Sequence, residues 1–270
     1  MDVTNEIVKI FGASAIRYFI LAGIPFLVFY LAYPDKLNSR KIQQRLASKK
    51  DFIREIWHSM QSTLVFTLIT ALILFTPVRN YTQVYANLND YPIWYFFVSV
   101  ALSLVIHDTY FYWMHRILHH KTLFNLTHLV HHRSTNPSPW TSYSFHLLEA
   151  IAEGGVLFVL IAIMPIHPLA ILLFTVLSFI INVYGHLGYE IMPRGFRNSV
   201  WFEVLNTSVH HNLHHSKFKG NYGLYFRVWD RLMGTEHPDY VKEYDKIQAR
   251  RFTQRFHAEG HKVQKRHKIF

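Results

Sequence analysis

The apolar positions of this chain fall in blocks rather than in alternation. Residues 14–33 read SAIRYFILAGIPFLVFYLAY, about the 20 residues that a helix needs to cross a bilayer. Arg17 lies near the start of this block, and Pro25 is placed to kink it. Residues 61–77 form a second block and 92–106 a third, whose helix is predicted to run on into the histidine-rich segment behind it. The last block runs from 147 to 184 and is broken at Pro165-Ile166-His167-Pro168. That break predicts a helical hairpin with arms of about 17 residues, with a re-entrant pair as the alternative. Glu149 and Glu153, near its start, are expected at the membrane interface. The pattern predicts an all-α fold of multi-span membrane helices.

The polar segments between the blocks set the orientation. Residues 34–57 carry Lys36, Arg40, Lys41, Arg45, Lys49, Lys50 and Arg54, whereas 78–91 carry only Arg79. Positive loops stay in the cytoplasm, so 34–57 is expected inside and the N-terminus outside. The third block then returns the chain to the cytoplasm at His115, and the hairpin goes out and back. The N-terminus lacks the basic and small-residue features of a signal peptide, so the first block reads as a retained helix. The strongly basic tail from Lys242 to Phe270 is expected to lie along anionic headgroups. Three regions follow: 1–60 with the first span and basic loop, 61–240 as a membrane-embedded catalytic domain, and the tail 241–270.

Composition agrees with a membrane protein. Of 270 residues, 50% are hydrophobic and 16% aromatic, and the mean hydropathy is slightly positive at +0.08. Tyr and Trp gather at bilayer interfaces, which accounts for Tyr110, Phe111, Tyr112 and Trp113; they also stand where a lipid would enter. The absence of cysteine excludes a disulfide framework, a zinc ribbon, a thiolate cluster and a cysteine nucleophile. The net charge of +11 suits an anionic membrane face, and no basic, aromatic-interleaved nucleic-acid motif is present.

Most of the nineteen histidines lie between His107 and His215, in three groups. They are His115-x-x-x-His119-His120, His128-x-x-His131-His132 and His211-x-x-His214-His215. Spacings of three and four put imidazoles on one helix face. In the first group His115 and His119 share a face, while His120 points about 100° away and is the alternative to His119. In the third group the repeated spacing selects His211 over His210, which is expected beside the site rather than in it. His186 leaves the last membrane helix where the site must lie and is a further candidate ligand. Glu190, four residues on, is a candidate bridging or outlying carboxylate. His107 is expected in the core, and His146 outside the ligand set. The run 221–236 carries no ligand pattern and reads as a structural segment closing over the site.

Eight to ten nitrogen donors exceed what one ion holds and fit two ions. His-Glu-x-x-His and the Glu-x-x-His pairs of soluble di-iron bundles are absent. Imidazole suits iron, zinc, copper and nickel alike. The position of the donors just below the membrane decides further. An acyl chain or a sterol offers unactivated C–H bonds there, and cleaving them takes a redox metal and O2, which excludes zinc.

The segments YFYWMHRILHH, THLVHHRSTNPSPW, NVYGHLGYE and TSVHHNLHHSKFKGNYGLYFRVWDRLMGTE resemble the membrane-bound fatty acid hydroxylase/sterol desaturase superfamily. The resemblance runs from about 107 to 236, and 1–60 lie outside it, so the first span looks like an addition. It implies a four-helix membrane core capped by a cytosolic helical histidine-box domain that holds a di-iron centre. Carried over by position, the ligands are His115, His119, His128, His131, His132, His186, His211, His214 and His215. Some members have a histidine where this chain has Glu190, and some space the first box so as to select His120.

The expected function is O2-dependent di-iron hydroxylation or desaturation of a membrane lipid such as a fatty acyl chain or sterol. Two iron ions are the expected cofactor, with zinc as a substitute in recombinant protein. No cytochrome b5 module is visible, so electrons are expected from a separate donor protein meeting the basic face. The expected location is a bacterial inner membrane, with the endoplasmic reticulum as the alternative. A zinc-dependent membrane hydrolase or isomerase is the second reading, and a metal transporter the third.

Overall fold

The computed structural model describes residues 2–45 and 47–252; the tail from 253 onward, expected along headgroups, lies outside the described residues. The fold is all-α. Among the described residues the only β pairing is three isolated bridges.

Helix α1 spans Val3–Phe26 and starts earlier than the apolar block, because the Asp2 side chain caps it by accepting from the Thr4 N–H. Pro25 has no N–H to offer Leu21. Just beyond it the ladder widens into a π-helical stretch over Leu27–Ala32, with Tyr33 N–H donating to Val28 O five residues back. Helix α2, Lys49–Phe75, also starts before its apolar block, at a capping box between Ser48 and Asp51. Helix α3, Ile93–Leu118, runs through the third block into the first histidine group, as its pattern predicts. Short helices α4 (Phe124–Thr127) and α5 (Leu129–His132) carry the second group, with His128 at their junction.

The hairpin differs from expectation in its first arm, which consists of α6, Leu147–Gly154, and α7, Val156–Ile163. A Cβ at Gly155 would stand 2.6 Å from the Tyr110 hydroxyl, so glycine here lets the arm press against α3 at a cost to helix continuity. The second arm, α8, is Pro168–Gly185. Four helices are long and apolar enough to cross a membrane: Val3–Ala32, Lys49–Phe75, Ile93–Leu118 and Pro168–Gly185. The hairpin tip nevertheless reaches the end of the bundle where α2 stops and α3 begins. Ile166 bridges Val84, and the Tyr95 hydroxyl donates to Pro165 O at 2.9 Å. This favours a hairpin traversing the bundle over a re-entrant pair.

The opposite end holds the histidines. Helices α9 (Val200–Val204), α10 (Ser208–Lys217) and α11 (Val228–Leu232) follow α8 there, with a further helical stretch at 240–252. Phe202, Val209, Leu213, Tyr240, Tyr244 and Ile247 form one buried cluster, so the first part of the basic tail is docked on the protein. The basic loop joins the same end: Lys41 bridges Tyr189, and Ile42 N–H donates to Gly188 O at 3.0 Å. Part of that loop is not a solvated face. Glu55 of α2 is fully buried, accepting from Ser134 Oγ at 2.7 Å and Ser138 Oγ at 2.6 Å.

The chain has no cysteine, so single cysteines report topology cleanly. With an impermeant maleimide, cysteines replacing the exposed Lys50 and Lys219 should be labelled from the cytoplasm, and one replacing Tyr81 from the other face. Labelling of Lys50→Cys and Lys219→Cys from opposite faces would contradict the shared end.

Candidate metal centre

Five elements deliver imidazoles to one place. His115 is in the last turn of α3 and His119 is its C-cap residue; His128, His131 and His132 come from the α4–α5 region. His186 is the C-cap residue of α8, and His211, His214 and His215 lie on α10. They fall into two clusters. One holds His115, His119, His128, His132 and His214, and the other His131, His186, His211 and His215, with the ligating atoms of each within 4.8 Å of one another. All nine expected residues are in these clusters, and among the described residues no others join them. All but His119, which is partly exposed, are buried.

The ring orientations show what the clusters are for. His115 Nδ1–H donates to Tyr222 O at 2.9 Å, His214 Nδ1–H to Gly220 O at 2.7 Å, His215 Nδ1–H to Ser134 O at 3.0 Å and His186 Nδ1–H to Asn182 O at 2.9 Å. A carbonyl oxygen only accepts, so these four contacts place the proton on Nδ1 and leave Nε2 with a lone pair. His128 does the same toward Glu149, with Nδ1 at 2.6 Å from Oε1. The Nε2 atoms then face one another. His115 and His128 approach to 3.0 Å, His132 and His214 to 3.0 Å, His186 and His211 to 2.9 Å, and His186 and His215 to 3.2 Å. Lone pairs so close repel unless a cation stands between them. A proton on each ring is not the remedy. Burial lowers the His214 pKa to about 4, and burial with repulsion from neighbouring imidazoles pushes His132, His211 and His215 well below the usual range. The donor set therefore fits a metal site, five nitrogens beside four, with oxygen acceptors behind five of the rings in the manner that orients metal-ligating histidines.

The segment behind α10 supplies two of those acceptors. Phe218, Gly220 and Asn221 all have positive φ, at 63°, 79° and 57°. A Cβ on Gly220 would meet Thr235 O at 2.5 Å, so only glycine turns the carbonyl onto His214 without displacing the backbone at Thr235. Two buried carboxylates hold the segment. Asp108 Oδ1 accepts from the N–H groups of Leu224, Tyr225 and Phe226, the shortest at 2.7 Å, and Asp230 from those of Tyr222 at 2.8 Å and Gly223 at 2.7 Å. Run 221–236 is thus structural as expected, and through the Tyr222 carbonyl it also orients His115.

The residues left open by spacing separate clearly. His120 is exposed and bonds Thr122 Oγ1 at 2.8 Å, whereas His119 joins a cluster. His210 is buried against Tyr240, its ring atoms without a hydrogen bond and its Nε2 3.9 Å from Asp230. His146 caps α6, and His107 bonds the Tyr225 hydroxyl at 2.7 Å inside the core. Glu190 is buried but accepts from Tyr184 and Met192 rather than facing the clusters. Glu149 and Glu153 correct the expectation of an interfacial pair, since both are buried. Glu149 was legible in one respect only: it is an acid near the start of an apolar helix, where burial without a partner would be costly.

A cavity approaches the second cluster from inside the bundle. Its inner part, about 110 Å³, ends at Phe145, whose ring centroid is 5.1 Å from that of His131. An adjoining cavity of about 510 Å³, lined mostly by aliphatic side chains of α1, α2, α7 and α8, shares Ser14, Arg17, Thr70, Leu157 and Thr175 with it.

The fatty acid hydroxylase family model matches residues 100–235. A lathosterol oxidase of Rattus norvegicus is 31% identical over 83% of this chain and 72% of its own length. A Delta(7)-sterol 5(6)-desaturase of Gibberella zeae is 29% identical over 78% of this chain and 58% of its own length. A methylsterol monooxygenase 1 of Rattus norvegicus is 28% identical over 81% of this chain and 73% of its own length. The chain thus spans from somewhat over half to about three quarters of these relatives. No solved structure matches. The chain belongs to the fatty acid hydroxylase family, whose residues here carry all nine clustered histidines.

Metal analysis of purified variants tests the clusters. His186→Ala should lower the metal content by about one ion per chain, whereas His210→Ala should leave it intact. Glu149→Ala should weaken metal binding about 10–100-fold through loss of the His128 acceptor. Unchanged metal content in His186→Ala would remove that ring from the set.

Proposed function

We propose that the protein is a membrane di-iron oxidoreductase that uses O2 to hydroxylate or desaturate a lipid, a sterol in the first instance. The carrying observation is the meeting of nine Nε2 atoms in two groups, with the inner of two adjoining cavities reaching Phe145 beside His131. His115, His119, His128, His132 and His214 would hold one iron, and His131, His186, His211 and His215 the other. Iron at these positions supplies the redox capacity and O2 activation that breaking an unactivated C–H bond requires. Zinc meets the donor chemistry but not that requirement.

The chain's own residues bind and orient. The aliphatic cavity takes the lipid out of the membrane plane and excludes water from it. The Tyr222, Gly220, Ser134 and Asn182 carbonyls and the Glu149 carboxylate hold the rings in one tautomer, so the site keeps its shape through a turnover. The relatives' names support oxidation over hydrolysis, since each names a desaturase, an oxidase or a monooxygenase acting on a sterol. Electrons come from a separate donor protein that meets the histidine end, which faces the cytoplasm by the charge of 34–57.

Protein loaded with Fe²⁺, supplied with O2 and a reductant, should convert a membrane lipid to an oxidised product seen by mass spectrometry. The zinc-loaded form should be inactive and regain turnover on exchange to Fe²⁺. Equal turnover by the zinc form would overturn the oxygenase reading.

A further inference from the structure

Two short helices at the histidine end carry apolar side chains that the protein itself does not cover. On α9, Val200 and Trp201 are 69% and 60% exposed. On α11, Leu232 is 71% exposed, and Val228 and Met233 are exposed as well. The two helices adjoin. Leu205 bridges Phe226, Arg227 N–H donates to Val204 O at 2.8 Å, and Arg231 Nη1 donates to Glu203 O at 3.0 Å. Soluble surfaces seldom leave several large apolar side chains together in water, and such a patch marks a protein partner or a membrane.

The place where α11 meets α3 decides between them. Trp229 of α11 donates from Nε1 to Thr109 Oγ1 at 3.1 Å and stacks on Tyr112, with ring centroids 5.8 Å apart. It also meets Trp113 edge-on at 5.6 Å. Helix α3 begins at Ile93, among Tyr91, Trp94 and Tyr95, the aromatic residues of a bilayer edge. At the helical rise, Thr109 lies about 24 Å along α3 from Ile93 and Trp113 about 30 Å. A hydrocarbon layer of about 30 Å therefore ends near Trp113, and tilt moves that edge further along the helix. The attachment of α11 at Thr109 is thus inside the apolar layer. The exposed side of α3 runs through Phe97, Leu102 and Val105 to Trp113 and Ile117, so the patch on α11 adjoins a surface that already faces lipid.

We infer that α9 and α11 are immersed in the bilayer leaflet at the histidine end, as an in-plane anchor whose apolar face meets phospholipid acyl chains. The charges beside the patch are matched. Glu203 pairs with Arg231 at 2.9 Å and with Arg197 at 3.8 Å, and Arg197 pairs with Asp245 at 3.3 Å. An apolar face with a charged rim is the arrangement of an interfacial helix. The anchor is also joined to the metal site. Asp230 of α11 holds the Tyr222 N–H at 2.8 Å, and the Tyr222 carbonyl accepts from His115. Immersion of α11 thereby fixes the height of the first histidine cluster against the membrane surface. None of this depends on which reaction the site performs.

The chain has no cysteine, so one nitroxide at a time can be placed on it. The full chain in phosphatidylcholine–phosphatidylglycerol vesicles carries it at Val200→Cys, Leu232→Cys, Leu102→Cys as the lipid-facing reference, or Lys219→Cys as the aqueous one. Collision with O2, which concentrates among acyl chains, is compared with collision with a water-soluble nickel chelate present on both faces. The labels at 200 and 232 should show an oxygen-to-nickel ratio several-fold above that at 219 and close to that at 102. A ratio matching position 219 at either site overturns the immersion. Protection from both reagents also overturns it, since that marks a protein partner or a second copy over the patch. If position 102 itself reads as aqueous, the span of α3 and the anchor fall together. A phospholipid with a diazirine in its acyl chain, photolysed with the unaltered protein, needs no variant. It should label peptides containing Trp201 or Leu232, and labelling confined to the four long apolar helices overturns the inference.

Discussion

The structure depends on holding nine imidazole Nε2 atoms closer together than they would stay alone. Uncharged nitrogens at 2.9–3.3 Å with their protons turned outward repel one another. The fold answers by fixing the outer nitrogen of five rings to oxygen acceptors, and a cation between the inner ones turns repulsion into binding. Burial contributes twice. It keeps the rings neutral at ordinary pH, as the depressed His214 pKa shows, and it lowers the local dielectric in which a bound ion is held.

That demand explains the outlying carboxylates. Glu149 backs His128 directly. Glu55 acts one step further away: it holds Ser134 Oγ, and the Ser134 carbonyl accepts from His215. Asp108 and Asp230 clamp the backbone that presents the Tyr222 and Gly220 carbonyls. Each carboxylate is buried, which is expensive unless hydrogen bonds compensate, and Asp108 and Asp230 recover that cost through backbone donors. Removing one would leave buried N–H groups unpaired as well as freeing a ring.

Helix α1 illustrates how membrane packing reaches the site. Tyr18 donates to Trp140 O at 2.9 Å and Ser59 of α2 donates to the same oxygen at 3.0 Å, pinning the loop that follows the second histidine group. Tyr30 donates to Leu187 O at 2.9 Å, just past His186. The same helix carries Arg17 into the cavity. A segment without metal-binding residues is thereby in contact with two of the histidine-bearing regions.

Much of this protein was legible without coordinates, because the signals are local. A block of apolar residues fixes a membrane helix by length, and spacings of three and four put histidines on one helix face whatever lies opposite. The three groups, the place of His186 and the continuation of α3 into His115 all follow from such short-range rules. Helix starts did not follow from the apolar pattern, since capping by Asp2 and Ser48 extends α1 and α2 into polar sequence. The first hairpin arm is interrupted because α3 lies close behind Gly155. The split of nine rings into five and four and the burial of Glu149 were decided by tertiary structure. Each joins residues tens to more than a hundred positions apart or depends on which way a helix end turns, and no local periodicity encodes how separate helices are rotated against one another.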